Sequence, residues 1–76
     1  MRNKEKLLNI LMEINPDIDY ENEKTLVDDG LFDSLEVMSI VTEIDDVFHV
    51  DIDPEDIIAE NFNSVDSILK LIDKGL

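Results

Sequence analysis

The chain has no cysteine and a single histidine, His49. The first absence excludes a disulfide framework, thiolate nucleophiles and thiolate-ligated metal. The second leaves only one imidazole to serve as a general base. Basic residues are also scarce: six Lys and Arg stand against twenty Asp and Glu, for a net charge of −14. They occur only at positions 2, 4, 6, 24, 70 and 74, so none lies between Thr25 and Leu69. Such a surface repels nucleic acid and anionic membranes. It attracts basic patches on other proteins and speeds encounters with them. Long apolar runs are missing as well, so no segment reads as a membrane span. The basic start "MRNKEKLLNILMEIN" has an apolar part interrupted by Asn9 and Glu13 and no small-residue cleavage site after it. It reads as a helix rather than a signal peptide, and the expected location is the cytoplasm.

A 43% apolar content is normal for a folded protein and argues against disorder despite the charge. Seventy-six residues make one domain at most, here 1–76, with a modest core; a chain of this size buries about 60% of its unfolded surface. The expected state is a monomer.

Leu7, Leu8, Leu11 and Ile14 recur at helical spacing within 3–14, and Asn15-Pro16 stops that helix, because a residue before proline avoids the α region. Positions 16–32 have weak periodicity and read as a long loop, anchored by Ile18, Leu26, Val27, Leu31 and Phe32, with a turn at Asp29-Gly30. A second helix is predicted over 34–48, with Val37, Ile40, Val41, Ile44, Val47 and Phe48 on one face. A short third helix is predicted within 51–60, with Asp53 as its cap and Pro54 at its first position. Asn63-Ser64 opens the last helix, which turns Val65, Ile68, Leu69 and Ile72 inward and ends at Gly75. The predicted fold is all-α: a small four-helix bundle of three longer helices and one short one, with a long first loop.

The stretch "GLFDSLEVM", positions 30–38, carries the most chemical information. With Asp33 as N-cap, Glu36 falls at the third helical position and the two form a variant of the capping box. Ser34 then occupies the first helical position with its hydroxyl unused, where a phosphate ester would sit beside free backbone N–H groups at the positive end of the helix. Alternatively Ser34 is itself the cap. Local chemistry leaves both arrangements open. A catalytic serine is disfavoured, because His49 lies a helix length away.

Nearly the whole chain resembles an acyl carrier protein: helix, long loop, "DSL" opening an acidic helix, "IDPEDI", and a final amphipathic helix. The specific part is "DDGLFDSLEVMSIVTEIDDVF". The resemblance implies that Ser34, flanked by Asp33 and Leu35, receives 4′-phosphopantetheine from coenzyme A through a phosphopantetheinyl transferase. The thiol of that arm then holds the cargo as a thioester, so a chain without cysteine serves thioester chemistry without being an enzyme. The implied partners are acyl- or aminoacyl-loading and elongating enzymes with basic patches. Their contacts would be Met38, Leu35 and the acids Glu36, Glu43, Asp45, Asp46, Glu55 and Asp56. Neither nucleic acid nor membrane insertion is expected.

The implied cargo is an acyl chain of fatty acid or polyketide synthesis. The alternative is D-alanine or another amino acid loaded by an adenylating ligase, since "GLFDS" resembles the D-alanyl carrier proteins. Leu31-Phe32, Ser39 and Thr42 depart from the commonest fatty-acid carrier pattern. Two remote readings are a calcium-binding protein and an unmodified acidic adaptor. The acid alternations from Asp17 and from Asp51 resemble calcium loops. They fail at the sixth position, Asn22 or Asp56, and at the twelfth, Asp28 or Phe62.

Overall fold

The computed structural model describes residues 2–76. The chain runs through α1 (Arg2–Ile14), α2 (Ser34–Phe48), a 3₁₀ turn (Pro54–Asp56), α3 (Ala59–Phe62) and α4 (Val65–Gly75). It is the expected all-helical bundle of three longer helices and a short one, with α1 packed on both α2 and α4, and α3 on α4.

Each helix buries one stripe. Leu7, Ile10 and Leu11 of α1 meet Val37, Ile40 and Ile44 of α2 and Ile68 and Ile72 of α4 in one continuous core. Val47, expected on the inner face of α2, is instead exposed: the stripe 37/40/44/48 closes the seam and leaves position 47 at its edge. Leu8, Ile14, Val41 and Leu69 are likewise only partly buried, while Ile10 and Leu71, not singled out by the pattern, are inside. At its end α2 turns into the left-handed region at His49 (φ 58°), whose N–H donates to the Asp45 carbonyl.

The third helix predicted within 51–60 does not form as one element. Asp53 caps it as expected, its side chain accepting the Glu55 N–H at 3.1 Å. The next bonds span three residues, Asp56 N–H to the Asp53 carbonyl and Ile57 N–H to the Pro54 carbonyl, and make a single 3₁₀ turn. Ile57 and Ile58 then leave helical geometry, with Ile58 extended (φ −126°, ψ 156°), before α3 begins at Ala59. Two adjacent β-branched residues suit that extended break.

The first loop, 15–33, contains no helix, as its weak periodicity predicts, yet it is firmly anchored. Leu26 and Phe32 are fully buried; Ile18, Val27 and Leu31 lie against the core. Tyr20, not anticipated as an anchor, is 94% buried: its ring stacks on Phe32 at 6.1 Å, and its hydroxyl donates to the Leu11 carbonyl at 2.8 Å and is shared with that of Asn15. The Leu11 carbonyl belongs to the last turn of α1 and also accepts the Asn15 N–H at 2.8 Å; the Asn15 carbonyl lies just past the helix end, where no intrahelical partner exists.

Candidate functional site at the start of α2

The capping question has a definite structural answer. Asp33 is the N-cap, in extended conformation (φ −92°, ψ −178°). Its Oδ1 accepts the Glu36 N–H at 2.9 Å, while Glu36 Oε1 accepts the Asp33 N–H at 3.2 Å. The box is complete, so Ser34 stands at the first helical position with its side chain exposed and free of hydrogen bonds among the described residues.

A groove of about 230 Å³ opens beside that hydroxyl. Its walls are apolar: Val27 from the first loop, Val37 and Met38 from α2, Ile57 and Ile58 from the break, and Phe62 from α3. Asp33 and Ser34 stand at its polar edge. The break between the 3₁₀ turn and α3 contributes two of its walls, Ile57 and the extended Ile58. Sequence periodicity missed Ile57 and Ile58 because they lie in a break where no helical repeat runs; the adjacent apolar pair is the signal they leave.

Leu35 is 79% exposed and Met38 49% exposed, an unusual outlay of apolar surface on the outer face of α2. The neighbouring hydroxyls of Ser39 and Thr42 donate to the carbonyls one turn back, of Leu35 and Met38. With Glu43 these residues line a shallow depression on the side of α2. Asp45, Asp46 and Glu55 are solvent-exposed. Two acids differ from the rest: Glu36 is engaged in the capping box, and Asp56 is paired with Lys74 at 3.2 Å. His49, at the far end of the fifteen-residue α2, is about 22 Å from Ser34 along the helix axis, out of reach as its base. Among the described residues no three His, Cys, Asp or Glu side chains cluster as an ion-holding group, and no helix is long and apolar enough to cross a membrane.

The arrangement suits a covalently attached phosphate ester. The serine oxygen is free, the unpaired N–H groups of the first turn of α2 lie beside it, and the adjacent groove accepts apolar atoms. No curated protein and no solved structure matches the chain significantly. The family model for the phosphopantetheine attachment site matches residues 5–72, nearly the full length. The chain therefore belongs to the phosphopantetheine attachment family, whose domains are the site of covalent 4′-phosphopantetheine attachment.

Proposed function

We propose that Ser34 is the attachment residue and that the protein is an acyl carrier, which shuttles an acyl group between biosynthetic enzymes and catalyses nothing itself. One observation carries this reading: Asp33 and Glu36 complete the helix cap between them and leave the Ser34 hydroxyl free and exposed. In the loading step the Ser34 oxygen attacks the β-phosphorus of coenzyme A. The new O–P bond forms as the bond to the bridging diphosphate oxygen breaks. 3′-Phosphoadenosine 5′-phosphate leaves, and the hydroxyl proton passes to a base of the transferase. Once bound, the group supplies a terminal thiol that carries cargo as a thioester.

The groove supports acyl over aminoacyl cargo. Its walls are apolar and suit a hydrocarbon chain, with Asp33 at the edge as the one charged lining group. Its volume lies below the range of about 300–1,000 Å³ typical for drug-sized ligands, which favours a short chain or one end of a longer one. Leu35, Met38, Glu43, Asp45, Asp46 and Glu55 are offered as partner contacts. Their support is position: Leu35 and Met38 are exposed close to Ser34, Glu43 lines the depression beside them, and Asp45, Asp46 and Glu55 are exposed acids, which suits enzymes presenting Arg or Lys around an apolar centre.

The test is intact-mass measurement after incubation with coenzyme A and a broad-specificity phosphopantetheinyl transferase. One phosphopantetheinyl group should add to the wild-type chain and none to Ser34→Ala, whose helical spectrum should be unchanged. Modification persisting in Ser34→Ala would sink the assignment. Loading of the modified chain by an amino-acid-adenylating ligase, and not by acyl-transferring enzymes, would replace acyl with aminoacyl cargo.

A further inference from the structure

We propose that Asn63, between α3 and α4, is a positioning residue for the modification of Ser34. It acts through the first loop, without touching the serine or the groove; the inference rests on Ser34 being the attachment residue.

Residues 25–32 form no helix, yet they deliver the chain to the N-cap of α2. Their backbone polar groups need partners from elsewhere. Asn63 supplies them to three consecutive residues more than thirty positions earlier in the chain. Its backbone carbonyl accepts the Leu26 N–H at 2.8 Å. Its Oδ1 accepts both the Val27 and the Asp28 N–H at 3.0 Å. Its Nδ2 donates to Asp28 Oδ2, also at 3.0 Å. Two N–H donors on one side and a carboxylate on the other fix the orientation of the amide. No aliphatic or hydroxyl side chain offers both functions in that geometry.

The grip reaches α2 through one more bond. The Leu26 carbonyl accepts the Phe32 N–H at 3.0 Å and closes the loop into a ring, and Phe32 directly precedes the N-cap Asp33. Inside the ring, Asp29 N–H donates to the Thr25 carbonyl, and the Thr25 hydroxyl donates to Asp29 Oδ2. Two residues joined to Asn63 are groove walls, although Asn63 itself is not: Phe62, its chain neighbour, and Val27, whose N–H it holds.

An enzyme acting on Ser34 must meet the loop and α2 in one arrangement. With the grip released, that arrangement is populated for only part of the time. Apparent affinity then falls by the competent fraction, while the bound complex reacts as before. The signature is a raised KM for the carrier with kcat retained. A residue that only adds stability would lower the melting temperature and leave both constants unchanged well below it.

The test is steady-state kinetics of a phosphopantetheinyl transferase, with the carrier as varied substrate, at a temperature where every variant is folded. It is paired with amide hydrogen exchange of the unmodified chains. Asn63→Ala removes three side-chain hydrogen bonds and should raise KM by at least about fivefold, the factor for one net hydrogen bond, with kcat within about twofold and faster exchange at Val27, Asp28 and Phe32. The double change Asn63→Asp with Asp28→Asn keeps the acceptor for both N–H groups and reverses the side-chain bond, so it should restore KM and protection. Should Asn63→Ala not fold, Asn63→Asp alone takes its place: it keeps the acceptor, sets two carboxylates face to face, and should give a smaller rise in KM that Asp28→Asn removes. The proposal is overturned by unchanged KM in a variant whose loop amides have lost protection, by a fall in kcat alone, or by failure of the double change to restore KM. A wild-type chain that the transferase does not modify, with its loop amides protected, would instead remove the Ser34 reading on which the proposal stands.

Discussion

Replacing Tyr20 with phenylalanine tests how the first loop is fastened to α1. The substitution keeps the ring stacked on Phe32 and deletes only the hydroxyl that donates to the carbonyls at the end of α1. The Leu11 carbonyl keeps a second donor, the Asn15 N–H at 2.8 Å, so it is not orphaned. The loss should therefore be that of one net hydrogen bond, about 1 kcal/mol, or about 4–8 °C in melting temperature for a domain of this size. The pH dependence is the sharper consequence. Burial, with a smaller contribution from the nearby Glu36 carboxylate, pushes the Tyr20 pKa up from 10.0 to about 12. The unfolded chain loses the phenolic proton first, so above pH 10 it binds fewer protons than the folded chain, and stability falls as pH rises. The loss runs from about pH 10 to about pH 12 and totals roughly 2–3 kcal/mol at 1.36 kcal/mol per unit. Tyr20→Phe escapes it. Urea unfolding of both proteins across alkaline pH should find the wild type more stable at pH 8 and the two curves crossing between about pH 10.5 and 11.5. Lysine titration is common to both and cancels in the difference. Because the chain has one tyrosine, phenolate absorbance reads the ionisation directly. A wild-type-minus-variant difference that stays constant with pH would refute the buried, hydrogen-bonded hydroxyl.

Two further outcomes follow from the surface. Met38, half exposed, should tolerate Met38→Ala with a change of less than about 1 kcal/mol, where a core methionine would cost roughly 2–5; loading by partner enzymes should slow, and slow further in Met38→Glu, whereas unfolding at moderate temperature would place the side chain in the core. The melting temperature should rise with salt, since screening shortens the repulsion among the acids to about 10 Å at 0.1 M and Lys74–Asp56, exposed and weak, is the one ion pair among the described residues; a flat or falling midpoint across a salt series would contradict this.

The parts of the fold that sequence reasoning read correctly depend on short-range regularities. The stripes of α1, α2 and α4 repeat every three to four residues, Asn15-Pro16 ends α1, and Asp33 and Glu36 stand three apart where a helix opens. Even there the chain alone left two frames for α2, one residue apart. What separates them is whether Asp33 or Ser34 turns its side chain back onto the backbone, and only the extended backbone at Asp33 decides. The segment 51–60 misled for a related reason. Its start signals, Asp53 and Pro54, are genuine, but a cap specifies where a helix begins and not whether it continues past one turn.

The features that shape the candidate site were illegible because they join distant residues. Tyr20 looks like an ordinary loop aromatic until the end of α1 is placed over its hydroxyl. Asn63 looks like one more polar residue before a helix, and its neighbour Ser64 in fact caps α4 by accepting the Ser67 N–H. Freed from capping, Asn63 is available to hold the loop. The same division of labour recurs at α2, where Asp33 caps and the next residue, Ser34, is released. At both helix starts two adjacent polar residues split the work, one satisfying the helix and the other turned to a task outside it. At α4 that task is fastening the loop; at α2 it is presenting a free hydroxyl. The loop running from Leu26 to Phe32 connects the two, so the presentation of Ser34 depends on a residue 29 positions further along the chain.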